Sequence, residues 1–240
     1  MTRHAQLNNN DHRDLRIDTR RSAALGDDVA FAATFPAEFR DLQAHYPIVF
    51  RKDGNGVLSP VALLGFQQGQ NLFLEDDGPD GERWDAPYLP LAIERHPFLV
   101  GRGGDEITVH IDLDSPRVRT DAGEPLFREH GGNSEYLDRI ASVLLTLHNG
   151  FERVPAFIDA LMAHGLLESF ALDVELDDGS MNRLAGYYTI NEDRLRALDA
   201  KVLGELHAAG HLEPVFMAVA SVSNFRDLID RMNRSRARGR

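Results

Sequence analysis

The sequence predicts an α+β fold: a mostly antiparallel sheet from the first half, with helices of the second half packed on it and further strands joining, in a single domain. Two observations carry this. Short apolar runs separated by tight-turn residues fill the chain to about residue 113, and apolar residues at helical spacing dominate from residue 133 onward.

Residues 1–30 are polar and read as an irregular segment along the surface of a domain spanning 31–233. Phe35-Pro-Ala-Glu-Phe opens a short helix, with Thr34 as cap and Pro36 in the first turn. Tyr46-Pro-Ile-Val-Phe, Val57 to Phe66 and Asn71-Leu-Phe-Leu read as strands, broken by Asp53-Gly-Asn-Gly and Gln67-Gln-Gly-Gln. Strand 106–113 alternates strictly, with Ile107, Val109, Ile111 and Leu113 on one face and Thr108, His110 and Asp112 on the other.

In the second half, Asn133-Ser134 starts a helix that Gly150 should stop. Pro155 starts another, ending at Gly165. A hairpin is predicted from Phe170–Leu176 and Arg183–Ile190 across Asp177-Asp-Gly-Ser. Asn191 caps a helix reaching Gly210, Leu212–Ala220 reads as a strand, and a last helix runs from Ser223 toward Met232. Leu161-Met-Ala-His-Gly-Leu-Leu-Glu and Leu206-His-Ala-Ala-Gly-His-Leu-Glu echo one another and predict paired helix-to-strand units.

Composition narrows the chemistry. The 240 residues carry a formal charge of −12, which disfavours a phosphate backbone as the main partner. The absence of Cys excludes disulfides, thiol nucleophiles and Cys-ligated metals. Only Lys52 and Lys201 are lysines. Arg231, Arg234, Arg236, Arg238 and Arg240 make a basic end, and 234–240 is expected to be a solvated tail. No apolar run approaches the ~18–20 residues of a membrane span, and the start lacks the apolar core of a signal peptide. A cytoplasmic location is therefore expected.

Each candidate motif competes with a plain structural role. His110-x-Asp112 on one strand face could give two ligands of a mononuclear iron oxygenase, with a third from His130, His148, His164, His207 or His211. No Arg follows those histidines convincingly, so an exposed polar face is the simpler account. Glu75-Asp-Asp-Gly-Pro-Asp-Gly-Glu fails the calcium-loop pattern, since Gly78 and Pro87 fall where ligands belong. Gly101-Arg-Gly-Gly precedes a strand, so no helix N-terminus is there to receive phosphate. The segment Trp84-Asp-Ala-Pro-Tyr-Leu-Pro to Arg95-His-Pro-Phe is stiff and aromatic. Trp84, Tyr88, Arg95 and Phe98 are its candidate binding residues for a peptide or protein, against the plainer reading that the rings plug a core edge.

The same segments, with Ile111-Asp-Leu-Asp-Ser, Gly123-Glu-Pro-Leu-Phe, Leu184-Ala-Gly-Tyr-Tyr-Thr-Ile-Asn-Glu and Ser221-Val-Ser-Asn-Phe, occur in an order that resembles the SapC family of bacterial proteins from about residue 10 to 233. The resemblance implies a soluble accessory protein tied to surface or transport systems. A structural role in a surface layer would rest on the family name alone. The family supplies no catalytic residues or cofactor to carry over, and its members generally lack a fixed His at the position of His110. The resulting expectation is a non-enzymatic binding protein without a cofactor.

Overall fold

The computed structural model describes residues 3–76, 82–103 and 106–239. In chain order its strands are β1 (His4–Gln6), β2 (Arg16–Ile17), β3 (Phe31–Ala33), β4 (Ile48–Lys52), β5 (Leu58–Leu63), β6 (Leu74–Asp76) and β7 (Glu82–Trp84). They continue with β8 (Phe98–Gly103), β9 (Glu106–Asp112), β10 (Val118–Arg119), β11 (Glu124–Pro125), β12 (Leu167–Glu175) and β13 (Met181–Ile190). The helices are α1 (Phe39–Leu42), α2 (Leu91–Glu94), α3 (Glu135–Glu152), α4 (Val154–Ala163), α5 (Glu192–Arg196), α6 (Ala200–Ala208), α7 (Leu212–Ser221) and α8 (Phe225–Ala237). The fold is α+β, with antiparallel strand pairs throughout.

Contacts divide the chain into two compact units. The first comprises Met1–Asp28, Leu74–Asp85 and Leu91–Asn149; the second comprises Val29–Phe73, Ala86–Pro90 and Gly150–Arg240. In the first, β1-β9-β8 and β10-β2-β11 form two three-stranded sheets, and β6-β7 a ribbon. Alternation along β9 sends Ile111 inward opposite Phe98, its register partner on β8. Both are fully buried with Ile17, Leu126 and the Leu137, Ile140 and Leu144 stripe of α3. The polar N-terminal stretch thus contributes two strands and a core residue, Ile17. Helix α3 starts as expected, with Ser134 Oγ accepting from the Leu137 N–H at 3.1 Å.

The second unit holds one five-stranded sheet in the order β12-β13-β4-β5-β3. The expected hairpin is β12–β13, and Tyr187 and Tyr188 of β13 pair with Arg51 and Phe50 of β4. The segment expected to be a strand at Leu212–Ala220 is instead helix α7. Its buried residues, Pro214, Val215, Ala218 and Ser221, recur at helical spacing, and Pro214 lies in the first turn, where it costs no hydrogen bond. Ser221 Oγ accepts from the Ile48 N–H at 2.9 Å and donates to the Ala218 carbonyl, fixing the helix beside β4.

The helix expected from Asn191 to Gly210 is two. Asn191 caps α5 through the Arg194 N–H, and Asp199 caps α6 through the Val202 N–H. The sequence echo corresponds to one shared device. Gly165 and Gly210 both take positive φ, of 64° and 72°, after a helix. The next N–H in each, from Leu166 and from His211, donates back to Leu161 and Leu206 at 2.8 Å. Beyond that device the two copies part: the first leads into β12 and the second into α7.

Candidate functional site

The four expected binding residues have different surroundings. Tyr88 belongs to the second unit, while Trp84, Arg95 and Phe98 belong to the first. Tyr88 donates its hydroxyl to Glu38 Oε1 at 3.1 Å, Glu38 accepts from Thr34 Oγ1 at 2.6 Å, and the Tyr88 carbonyl accepts from the Tyr46 hydroxyl. Thr34 thus binds the Glu38 carboxylate rather than a helix N–H. Trp84 is half-buried on β7 opposite Leu74. Phe98 is fully buried in the core, with the Tyr136 ring at 6.2 Å. Arg95 lines a cavity.

That cavity, about 310 Å³, lies within the first unit on the face of β8 and β9 that carries Leu99 and Asp112, opposite the core face of Phe98 and Ile111. Arg95 and Arg117 form its cationic wall, and His96, Asp112 and Asp114 also line it. Arg95 opens the turn after α2. Its guanidinium donates to the Phe98 carbonyl at 2.6 Å, and the Phe98 N–H returns to the Arg95 carbonyl at 2.7 Å. Burial pulls Arg95 below the ordinary guanidinium value, yet an arginine so placed stays charged.

Arg117 is 1% exposed. It donates to the Asp18 and Arg20 carbonyls at 3.0 and 2.7 Å and to Asp27 Oδ2 at 2.5 Å. Its Nε is buried with no hydrogen-bond partner. Asp27 also faces Arg21 Nη1 at 3.5 Å, and Arg21 donates to the Ile93 carbonyl. Asp18 is engaged by Arg20 at 2.6 Å, which holds its carboxyl below the usual range. His96 is pushed down to about 4, first by burial and then by the charges of Arg95, Arg117 and Arg21, so its ring is neutral at pH 7. Burial likewise drives nearby Tyr136 up to about 12.

The arrangement can hold an anionic group. Fixed guanidinium charges in a poorly solvated wall stabilise a carboxylate by charge-assisted hydrogen bonds. A wider hollow of about 620 Å³ beside Arg13, Arg16 and Arg128 is less organised. Two of its arginines, exposed Arg13 and half-buried Arg16, are spent on the Glu129 and Gly123 carbonyls.

His110 and Asp112 share a strand face as expected. The His110 ring lies against Gly101, where an added Cβ would meet it at 2.1 Å. Among the described residues no three His, Asp or Glu side chains come together to hold a metal ion, so the iron reading lacks its third ligand. Gly101 is a β8 residue opposite Thr108, and Gly104 and residues 77–81 of the acidic loop lie outside the described residues. Among the described residues no helix is long and apolar enough to cross a membrane.

Sequence patterning marks out Arg95 but not Arg117, Asp27, Arg21 or His96 as a cluster. Arg117 and Asp27 meet across 90 positions of chain, and no local spacing announces such a pair. The Arg95-His96-Pro97 run is its one visible signal.

The model of the SapC family matches residues 7–228. No curated protein and no solved structure matches the chain.

Proposed function

The chain belongs to the SapC family, and on that footing we propose that it is a non-enzymatic accessory protein of the cytoplasm that binds a peptide or protein linked to surface or transport systems. The observation that carries this reading is Arg95. Its mostly buried guanidinium lines an open cavity and makes no ion pair among the described residues. Burying a cation without a carboxylate is costly, and an acidic group of a bound partner would offset that cost. The neighbouring His96, neutral at pH 7, supports recognition in place of acid–base work, which calls for a group titrating near the working pH.

Co-purification from the native cell tests the reading. Tagged wild type should capture a defined partner set that Arg95→Gln loses while its thermal unfolding stays that of wild type. Trp84→Ala, in the same unit, asks whether the aromatic part of the segment contributes. A partner set unchanged in Arg95→Gln would refute the reading.

A further inference from the structure

We infer that the cavity of Arg95, His96, Arg117 and Asp112 takes a small zwitterion, a free α-amino acid or a short peptide with both termini free. The carboxylate would meet the arginine wall and the ammonium Asp112. The inference deepens the binding reading and rests on its premise that Arg95 faces a ligand.

The charges carry it. Three buried or mostly buried guanidiniums, Arg21, Arg95 and Arg117, have one buried carboxylate among them, Asp27. Arg117 keeps a buried Nε with no acceptor on a side chain that forms part of the cavity wall. On the same cavity Asp112 makes no ion pair among the described residues; its Oδ1 accepts only the Asp114 N–H, at 3.1 Å. Asp114 already pairs with Arg3, at 3.7 Å, and accepts its N–H. His4 also lines the cavity, at its exposed side. Cations and a carboxylate therefore line one space without joining each other. A ligand carrying both charges satisfies both. A phosphate would set two negative charges near Asp112, and a lone amine would leave the arginines unanswered. The volume sits at the low end of the roughly 300–1,000 Å³ of small-molecule pockets. Leu25, Leu99, Pro97 and Pro116 add apolar lining for a side chain or methyl group.

Calorimetric titration of the full chain tests this with each standard L-α-amino acid, dialanine, propionate, ethylamine and inorganic phosphate. At least one amino acid or dialanine should bind about tenfold or more tighter than propionate or ethylamine, the equivalent of one charge-assisted hydrogen bond. The two zwitterion sources separate by whether an amino acid or dialanine wins. Asp112→Asn should erase the preference over propionate, and Arg95→Gln should weaken both. Propionate or phosphate binding as tightly as the best zwitterion overturns the inference while leaving an anion-binding site in place. A preference untouched by Asp112→Asn overturns it as well, even if Arg95→Gln fails to fold. If no probe binds but co-purification still depends on Arg95, the inference falls and the partner reading stands.

Discussion

Arg117 is held by two backbone carbonyls and one carboxylate. A buried ion pair adds little net stability of its own, because desolvation consumes most of the attraction. Near it, His96 is mostly buried, and that burial first, then the charges of Arg95, Arg117 and Arg21, oppose its protonation. In the unfolded chain His96 takes a proton near 6.5, whereas in the fold it does so only near 4. Between these values the unfolded state binds the extra proton, so stability falls as the pH drops through that window. The gap corresponds to about 3 kcal/mol once the loss is complete, at about 1.4 kcal/mol per pH unit. His96→Gln cannot titrate. Urea unfolding at about pH 7 and pH 4.5 should therefore show a smaller acid loss in that variant than in wild type. Equal losses would mean that His96 is not held neutral.

Helix α3 runs through Gly150 to Glu152, although a glycine there reads as a stop. The residue serves close packing: a Cβ would lie 2.3 Å from the ring of Phe35, which is 2% exposed. Gly150→Ala should thus lower the melting temperature, since overpacking by about 1–3 kcal/mol outweighs the roughly 1 kcal/mol that alanine gains in a helix. Gly204 in α6 is the contrasting case. Nothing lies within 4 Å of its would-be Cβ, and its φ is not left-handed, so Gly204→Ala should raise stability by about 0.5–1 kcal/mol. Thermal unfolding of the two variants would show shifts of opposite sign. Local pattern could not separate these glycines, because the difference lies in a residue more than a hundred positions away. The same limit explains α7. Val215-Phe-Met-Ala-Val is apolar enough to suit a strand, and only the tertiary burial of Val215, Ala218 and Ser221, with Phe216 52% exposed, reveals the helical period. Where one face alone is buried, as in β9, the alternation was legible. In the candidate site the sequence displayed Arg95 but not the Arg117–Asp27 pair, whose members lie 90 positions apart.

At the scale of the whole molecule, neither unit is a continuous piece of chain. The basic end, expected as a solvated tail, is instead helical to Ala237. Arg231 pairs with Asp227 and covers the Phe73 ring at 4.3 Å, while Arg236 reaches Asp178 at 3.0 Å. Asp178 is held at about 2 by hydrogen bonds from Ser180 and then by Arg236. These ties gather the C-terminal half around its own hairpin, yet that half lacks the strands it packs on. β13 needs β4 along Tyr187 and Tyr188, and Phe157 of α4 is fully buried against Phe39 and Phe50, with ring centroids 6.0 and 6.3 Å away. A fragment of residues 150–240 would expose that ring, the Val215–Ala218 face of α7 and an open strand edge together. Losing this burial removes several side chains at about 1.5–3 kcal/mol each, comparable with the whole stability of a small domain. The isolated fragment should therefore show no cooperative thermal transition by circular dichroism. Mixing it with separately made residues 1–149 should restore one, because the missing strands then return. A cooperative melt of 150–240 alone would mean that the second unit's later half folds without β4 and β5.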